Sequence, residues 1–214
     1  MTQIPADGAT PEMILGFWFP ERLEDFDLEA YNAFWFSRMQ GGMDAAICET
    51  MAEVTLAAAR GAYDGWAKTP HGRLALILTL DQFPRSLWRD TPGAYGQDIK
   101  TTRLALEGIA NGHFDALPHL FQKLFYAIAI GHCEGPDHLA RMDMLVDLSE
   151  RLRKDLSPKD AERHPNLGAQ PQRVREIIRR FGRHPHRNAI LGRVSTPEEE
   201  AYIAEGDFPH LARR

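Results

Sequence analysis

An all-α fold follows from three features of the sequence. Apolar residues recur at helical spacing in one segment after another, Ser/Thr-Pro pairs mark repeated helix starts, and strand-like alternation is nearly absent. Together they predict a multi-helix α–α architecture with no sheet, of about eight to ten helices. Residues 1–214 are read as a single helical domain. A chain of this length buries roughly 70% of its unfolded surface, enough for a core without disulfides or metals.

Thr10-Pro11-Glu12 opens the first helix. Thr10 supplies the cap, and Pro11 sits in the first turn, where a missing N–H costs nothing. Thr69-Pro70, Ser157-Pro158 and Thr196-Pro197 repeat the pattern, and Thr196 with Glu199 makes a capping box. Helical faces run through Ile47, Met51, Val54 and Ala58, then Leu117, Phe121, Leu124, Phe125 and Ile128. Others run through Leu139, Met142, Leu145, Val146 and Leu152, and through Val174, Ile177, Ile178 and Phe181. Leu74 to Leu80 is apolar almost all round, broken only by Thr79, which predicts a central helix covered on every side; a buried strand is the competing reading. Loops are expected near Pro20–Asp27, Trp88–Gly96 and Asp155–Pro171. The aromatic clusters Phe17-Trp18-Phe19 and Phe34-Trp35-Phe36 are expected as core anchors, with a ligand-stacking wall as the alternative.

Composition narrows the function classes. The formal charge of −5 argues against a general nucleic-acid binder. No signal-peptide pattern opens the sequence, and no apolar run approaches the roughly 20 residues of a membrane span. A cytoplasmic protein with no membrane partner is therefore expected. The two cysteines, Cys48 and Cys133, lack CxxC spacing, so they read as free thiols in a reducing compartment. There is no GxGxxG, Walker-type loop, HExxH or GxSxG, and only five serines. No cofactor is expected. Charge is uneven: residues 1–60 hold ten acidic and three basic side chains, whereas residues 163–193 hold eight arginines and one glutamate. The basic segment reads either as an anion-attracting surface or as the partner of the acidic one.

Three polar segments interrupt apolar helices. Asp81-Gln82-Phe83-Pro84-Arg85 follows the aliphatic run, and Pro84 should end that helix near Phe83. Asp81 then lies in a last turn, where the helix dipole disfavours a carboxylate, so a compensating cation is expected from Arg85 or a distant arginine. Arg183-His184-Pro185-His186-Arg187-Asn188 follows Gly182, a left-handed cap, and concentrates cations and imidazoles in a constrained turn. His132-Cys133-Glu134 ends another helix and offers an acid–base pair. Each segment has a structural alternative: an ion pair fixing a helix end, a capping knot, or a histidine placed favourably at a helix C-terminus.

At these segments the chain resembles the domain of unknown function 924 family, a bacterial family. The likeness rests on Phe17-Trp18-Phe19, Leu74 through Arg85, His132 with Glu134, and Arg180 through Arg193, within a match running from residue 11 to 208. Ser86 stands where asparagine is expected, Cys133 where serine is, His184 where phenylalanine is, and Ala127-Ile128 where leucine–proline is. The resemblance implies a tetratricopeptide-like helical superhelix and no established reaction. The Cys133 departure argues against a catalytic hydroxyl at that position, and His184 against a two-histidine metal site.

The leading expectation is a groove lined by Asp81, Gln82, Arg85, His132, Glu134, Arg183, His186, Arg187 and Asn188 that binds an anionic small molecule or peptide carboxylate, without metal. The segments would converge, with Asp81 beside Arg183 or Arg187 and an imidazole. The alternative is a hydrolase acting on an anionic substrate through a His–carboxylate pair, with arginines stabilising developing charge. A third reading makes all three segments internal ion-pair knots. The sequence leaves catalytic residues and oligomeric state open.

Overall fold

The four Thr/Ser-Pro starts all cap helices. In the computed structural model, which describes residues 3–206 and 208, Thr10 Oγ1 accepts from the Met13 N–H at 3.3 Å, opening α1 (Pro11–Trp18). After α2 (Leu28–Met39), α3 (Asp44–Thr50) and α4 (Ala52–Ala59), Thr69 Oγ1 accepts from Gly72 N–H at 3.1 Å and opens α5 (Pro70–Asp81). Then come α6 (Phe83–Leu87), α7 (Asp98–Ala110), α8 (Leu120–His132) and α9 (His138–Lys154). Ser157 caps α10 (Pro158–Arg163), α11 spans Ala169–Phe181, and the Thr196–Glu199 capping box opens α12 (Pro197–Glu205). No strand occurs among the described residues. The fold is all-α.

The chain forms two compact units. The first runs through Arg89 and includes Gly93–His132; the second holds Asp90–Pro92 and the chain from Cys133 on. In the first unit α5 is the axis, packed by α1, α4, α6, α7 and α8. Every residue from Gly72 to Asp81 is buried, as the all-round apolar pattern predicts. Thr79, the one polar interruption, satisfies its hydroxyl on the Ala75 carbonyl at 2.8 Å. In the second unit α9 packs on α11, whose Val174, Ile177 and Ile178 are buried. Gly182 ends α11 with φ of +70°, the left-handed conformation that glycine adopts without a Cβ penalty.

Several local expectations change. There are more helices than the eight to ten expected, because a break at Met51 divides a face that reads as continuous, and after the break at Gln82, close to the end expected near Phe83, the chain restarts as α6. The face through Ile47, Met51, Val54 and Ala58 is buried across the first of these breaks. The expected loop at Asp155–Pro171 contains all of α10 and the start of α11. The other two expected loops each hold one 3-10 turn, at Leu23–Asp25 and Pro92–Tyr95. Phe36 is no core anchor: it is 65% exposed, although Trp18, Phe19 and Phe34 are buried. No helix among the described residues is long and apolar enough to cross a membrane.

Candidate functional site

The helix α5 carries its aliphatic run directly into Asp81, its last residue. Pro84 cannot donate within a continuing helix, so the chain turns at Gln82 and restarts as α6 with Pro84 in the first turn. That restart brings Arg85 back over the end of α5. Its NH1 donates to the Asp81 carbonyl oxygen and lies 3.4 Å from Asp81 Oδ1. The cation that the helix-end carboxylate requires is thus Arg85, four residues on.

Two further elements close the cluster. From α8, whose last residue is His132, the imidazole Nδ1 reaches Asp81 Oδ1 at 2.9 Å and Oδ2 at 3.1 Å. From the first turn of α7, Asp98 Oδ1 accepts from Arg85 NH2 at 2.8 Å. Gln82 Nε2 donates to Asp81 Oδ2 at 2.6 Å. Tyr95 places its ring 5.8 Å from the Arg85 guanidinium carbon. The Asp81 side chain is 1% exposed and that of His132 is 12% exposed, so the imidazole is the part of the pair that meets solvent.

Burial alone would raise the Asp81 carboxyl, but the Arg85 charge, His132 and the Gln82 hydrogen bond outweigh it and hold the group well below the usual carboxylate range. Burial lowers His132; the Arg85 charge adds to this, and Asp81 and Asp98 only partly oppose it. The result is an ionised aspartate facing a neutral imidazole at neutral pH. A carboxylate only accepts, so Nδ1 carries the proton and the lone pair resides on Nε2. Arg85 is held above its ordinary value: burial opposes this, and the Asp81 and Asp98 charges prevail.

The remaining predicted residues lie in the second unit and take partners within it. Glu134 accepts from the His184 N–H at 2.6 Å and from both guanidinium nitrogens of Arg193, at 2.5 and 3.2 Å. Burial would raise its carboxyl, but the Arg193 and His184 hydrogen bonds and the Arg187 charge lower it. Arg183 donates two-pronged to Glu199, with Nε and NH2 each 2.7 Å from a carboxylate oxygen. Asn188 Nδ2 donates to Ser195 Oγ at 3.0 Å. The His186 ring centre lies 5.3 Å from those of His184 and Phe208, tilted by 52° and 51°. Arg187 is 3% exposed. Glu134, Arg183 and Asn188 are thus each engaged by partners inside this unit.

The family model for bacterial proteins of unknown function, DUF924, matches residues 14–207. The chain belongs to the DUF924 family. It is also similar to a solved protein of unknown function from Agrobacterium tumefaciens, with 32% sequence identity over 92% of this chain and 97% of that one, at a TM-score of 0.62. No curated protein matches.

In this DUF924 member, the nine residues expected in one groove divide between the two units: Asp81, Gln82, Arg85 and His132 in the first, and Glu134, Arg183, His186, Arg187 and Asn188 in the second. The structure brings the first four together around Asp81. It adds Asp98, which an acidic first helical turn does not distinguish from an ordinary dipole partner. Arg193 and Glu199 lie in recognisable segments, the late motif and the Thr196 capping box, but nothing in their spacing names the arginine–carboxylate partner each takes. No group of three or more His, Cys, Asp or Glu side chains suited to a metal ion occurs among the described residues.

Proposed function

We propose that this DUF924 member is an acid–base enzyme of the hydrolytic kind, with His132 as the proton-transferring group and Asp81 as the residue that orients it. One observation carries this reading: the 2.9 Å contact between a buried, ionised carboxylate and the Nδ1 of a partly exposed imidazole. That contact fixes the tautomer and leaves Nε2 as the base. In a hydrolysis, Nε2 takes a proton from water as the water oxygen bonds to the electrophilic centre. The proton then passes to the departing oxygen or nitrogen as its bond breaks. Asp81 stabilises the transient imidazolium, and Gln82 and Arg85 hold the carboxylate in place.

Anion clamping by the arginines of the expected groove has weaker support. Arg85 already meets Asp81 and Asp98, and Arg183 meets Glu199, so an incoming anion would have to displace an internal carboxylate.

A panel of activated carboxylic and phosphoric esters tests the acid–base reading. The expected result is turnover that falls as pH drops through a midpoint below about 6.5, the ordinary histidine value. His132→Gln should abolish it, and Asp81→Asn should lower it by roughly 10²–10⁴-fold. Turnover that is unchanged in His132→Gln would refute the assignment.

A further inference from the structure

The short helix α6 carries Arg85 to Asp81 but is too short to hold its own place. It spans five residues, and the Trp88 N–H closes its turn on the Pro84 carbonyl oxygen at 2.9 Å. A single helical turn is unstable by itself and depends on what packs around it. Arg85 ties this one to Asp81 and Asp98. A second tie comes from α3, which packs on α6.

That second tie uses both oxygens of one carboxylate. Asp44, the first residue of α3, accepts from Ser86 Oγ at 2.7 Å through Oδ1 and from Arg89 NH2 at 2.5 Å through Oδ2. Ser86 directly follows Arg85 in α6, and Arg89 lies just beyond the helix. One turn further along α3, Cys48 Sγ lies 3.7 Å from the Ser86 carbonyl oxygen. The helix α3 is itself seated in the core by Ile47 and Thr50, both buried.

The turn before α3 leaves room for this carboxylate. Gly41 has φ of +80°, and a Cβ there would lie 2.6 Å from Asp44 Oδ2 and 3.6 Å from Arg89 NH2. The first turn of a helix also favours a negative charge. Asp44 and Arg89 are both partly exposed, and by themselves would be an ordinary surface ion pair of small effect. What joins them to the site is the Ser86 bond to the same carboxylate, made by the residue next to Arg85.

We propose that Asp44 is a positioning residue for the Asp81–His132 pair: through Ser86 and Arg89 it holds α6, and so holds the Arg85 guanidinium against Asp81 and Asp98. The consequence for turnover rests on the acid–base reading; the positioning itself does not.

The direction of one shift tests this. In the native chain Arg85 lowers His132, whereas Asp81 and Asp98 act to raise it. Losing the Asp44 charge can act directly only to lower His132 further, because a negative charge favours the imidazolium. Displacement of Arg85 acts the other way. In Asp44→Ala, followed by NMR, His132 should therefore titrate higher, by less than in Arg85→Met, and the Arg85 Nε–Hε resonance should move. Added to Arg85→Met, the same substitution should give no further rise. Ester turnover should fall by up to about 100-fold, as a misplacement of about 1 Å gives. A native chain that turns over no ester counts against the acid–base reading alone, and the titration still decides the role of Asp44. The proposal is overturned if His132 in Asp44→Ala titrates at or below its native midpoint, if the Arg85 resonance stays in place, or if the rise persists without Arg85. Should Asp44→Ala not fold, Ser86→Ala decides, since it keeps the Asp44–Arg89 pair: a smaller rise in the His132 midpoint is expected, and no rise equally overturns the proposal.

Discussion

Asp81 and His132 end two different helices of the first unit, and their side chains meet there with Oδ1 2.9 Å from Nδ1. A carboxylate at a helix C-terminus faces an unfavourable dipole, and burial adds to the penalty. It is retained here because Arg85, His132 and Gln82 all act on it. The pair therefore has a defined protonation state, and that state is measurable without knowing a substrate.

In the native chain, long-range ¹H–¹⁵N NMR at pH 7 should show His132 as the neutral Nδ1–H tautomer. Its titration should fall below the ordinary histidine range, because burial and the Arg85 charge outweigh Asp81 and Asp98. Asp81→Asn removes a group that favours the charged ring, so the midpoint should fall further. A proton on Nε2, or a midpoint above the ordinary value, would contradict the orientation assigned here.

Arg85→Met tests the other side of the cluster. Asp81 and Asp98 would remain, with side chains 1% and 7% exposed and their shared cation gone. Removing one partner of such a buried arrangement costs about 3–5 kcal/mol. Urea denaturation should register that loss, and His132 should titrate higher, since Arg85 lowers it in the native chain. A change of stability under about 1 kcal/mol, as for a surface pair, would show that the carboxylates do not depend on Arg85.

The sequence predicted the helix ends better than the helix partners, for a physical reason. Thr10, Thr69, Ser157 and Thr196 cap by reaching N–H groups three residues on, so the necessary information is local. The need for a cation at Asp81 was local too, and Arg85 met it from one turn away. His132 was singled out as a helix end, but its pairing with Asp81 spans 51 positions and no periodicity encodes it. The same holds for Glu134 with Arg193 and for Arg183 with Glu199. Phe36 misled because an aromatic triplet reads as core, whereas three consecutive residues on a helix cannot all face inward.

Acid sensitivity between pH 6.5 and 4.5 should come from histidines. Burial holds the half-buried His164 down to about 4, with Asp160 opposing only in part. Its folded pKa lies below its unfolded one, so on acidification the unfolded chain binds the proton first. The stability it contributes is complete above about 6.5, declines as pH falls towards 4, and is gone below that. The full decline amounts to about 3 kcal/mol, and His132 adds a loss of the same sign. His164→Gln should flatten the pH dependence of the urea midpoint across this window, and the double variant with His132→Gln should flatten it more. An equally steep slope in His164→Gln would show that the ring is not desolvated in the folded chain.

Two glycines in helices should respond to alanine in opposite directions. Gly16 lies within α1, and a Cβ there meets nothing within 4 Å, so only the backbone entropy of the unfolded chain changes. Gly16→Ala should stabilise the protein by up to about 1 kcal/mol. At Gly108, on α7, a Cβ would lie 2.6 Å from Tyr126 Cε1 and 2.7 Å from Arg73 Cδ. Neither neighbour can easily yield. Tyr126 is fully buried against Phe114, and Arg73 is pinned by hydrogen bonds to the Leu104 and Ala67 carbonyls at 2.8 and 2.9 Å. The clash, worth about 1–3 kcal/mol, should exceed the gain in helix propensity. Gly108→Ala should therefore lower the melting temperature by several degrees, at roughly 2–4 °C per kcal/mol for a chain of this size. A Gly108→Ala variant as stable as Gly16→Ala would mean that α7 and α8 pack less closely at Tyr126 than these contacts require.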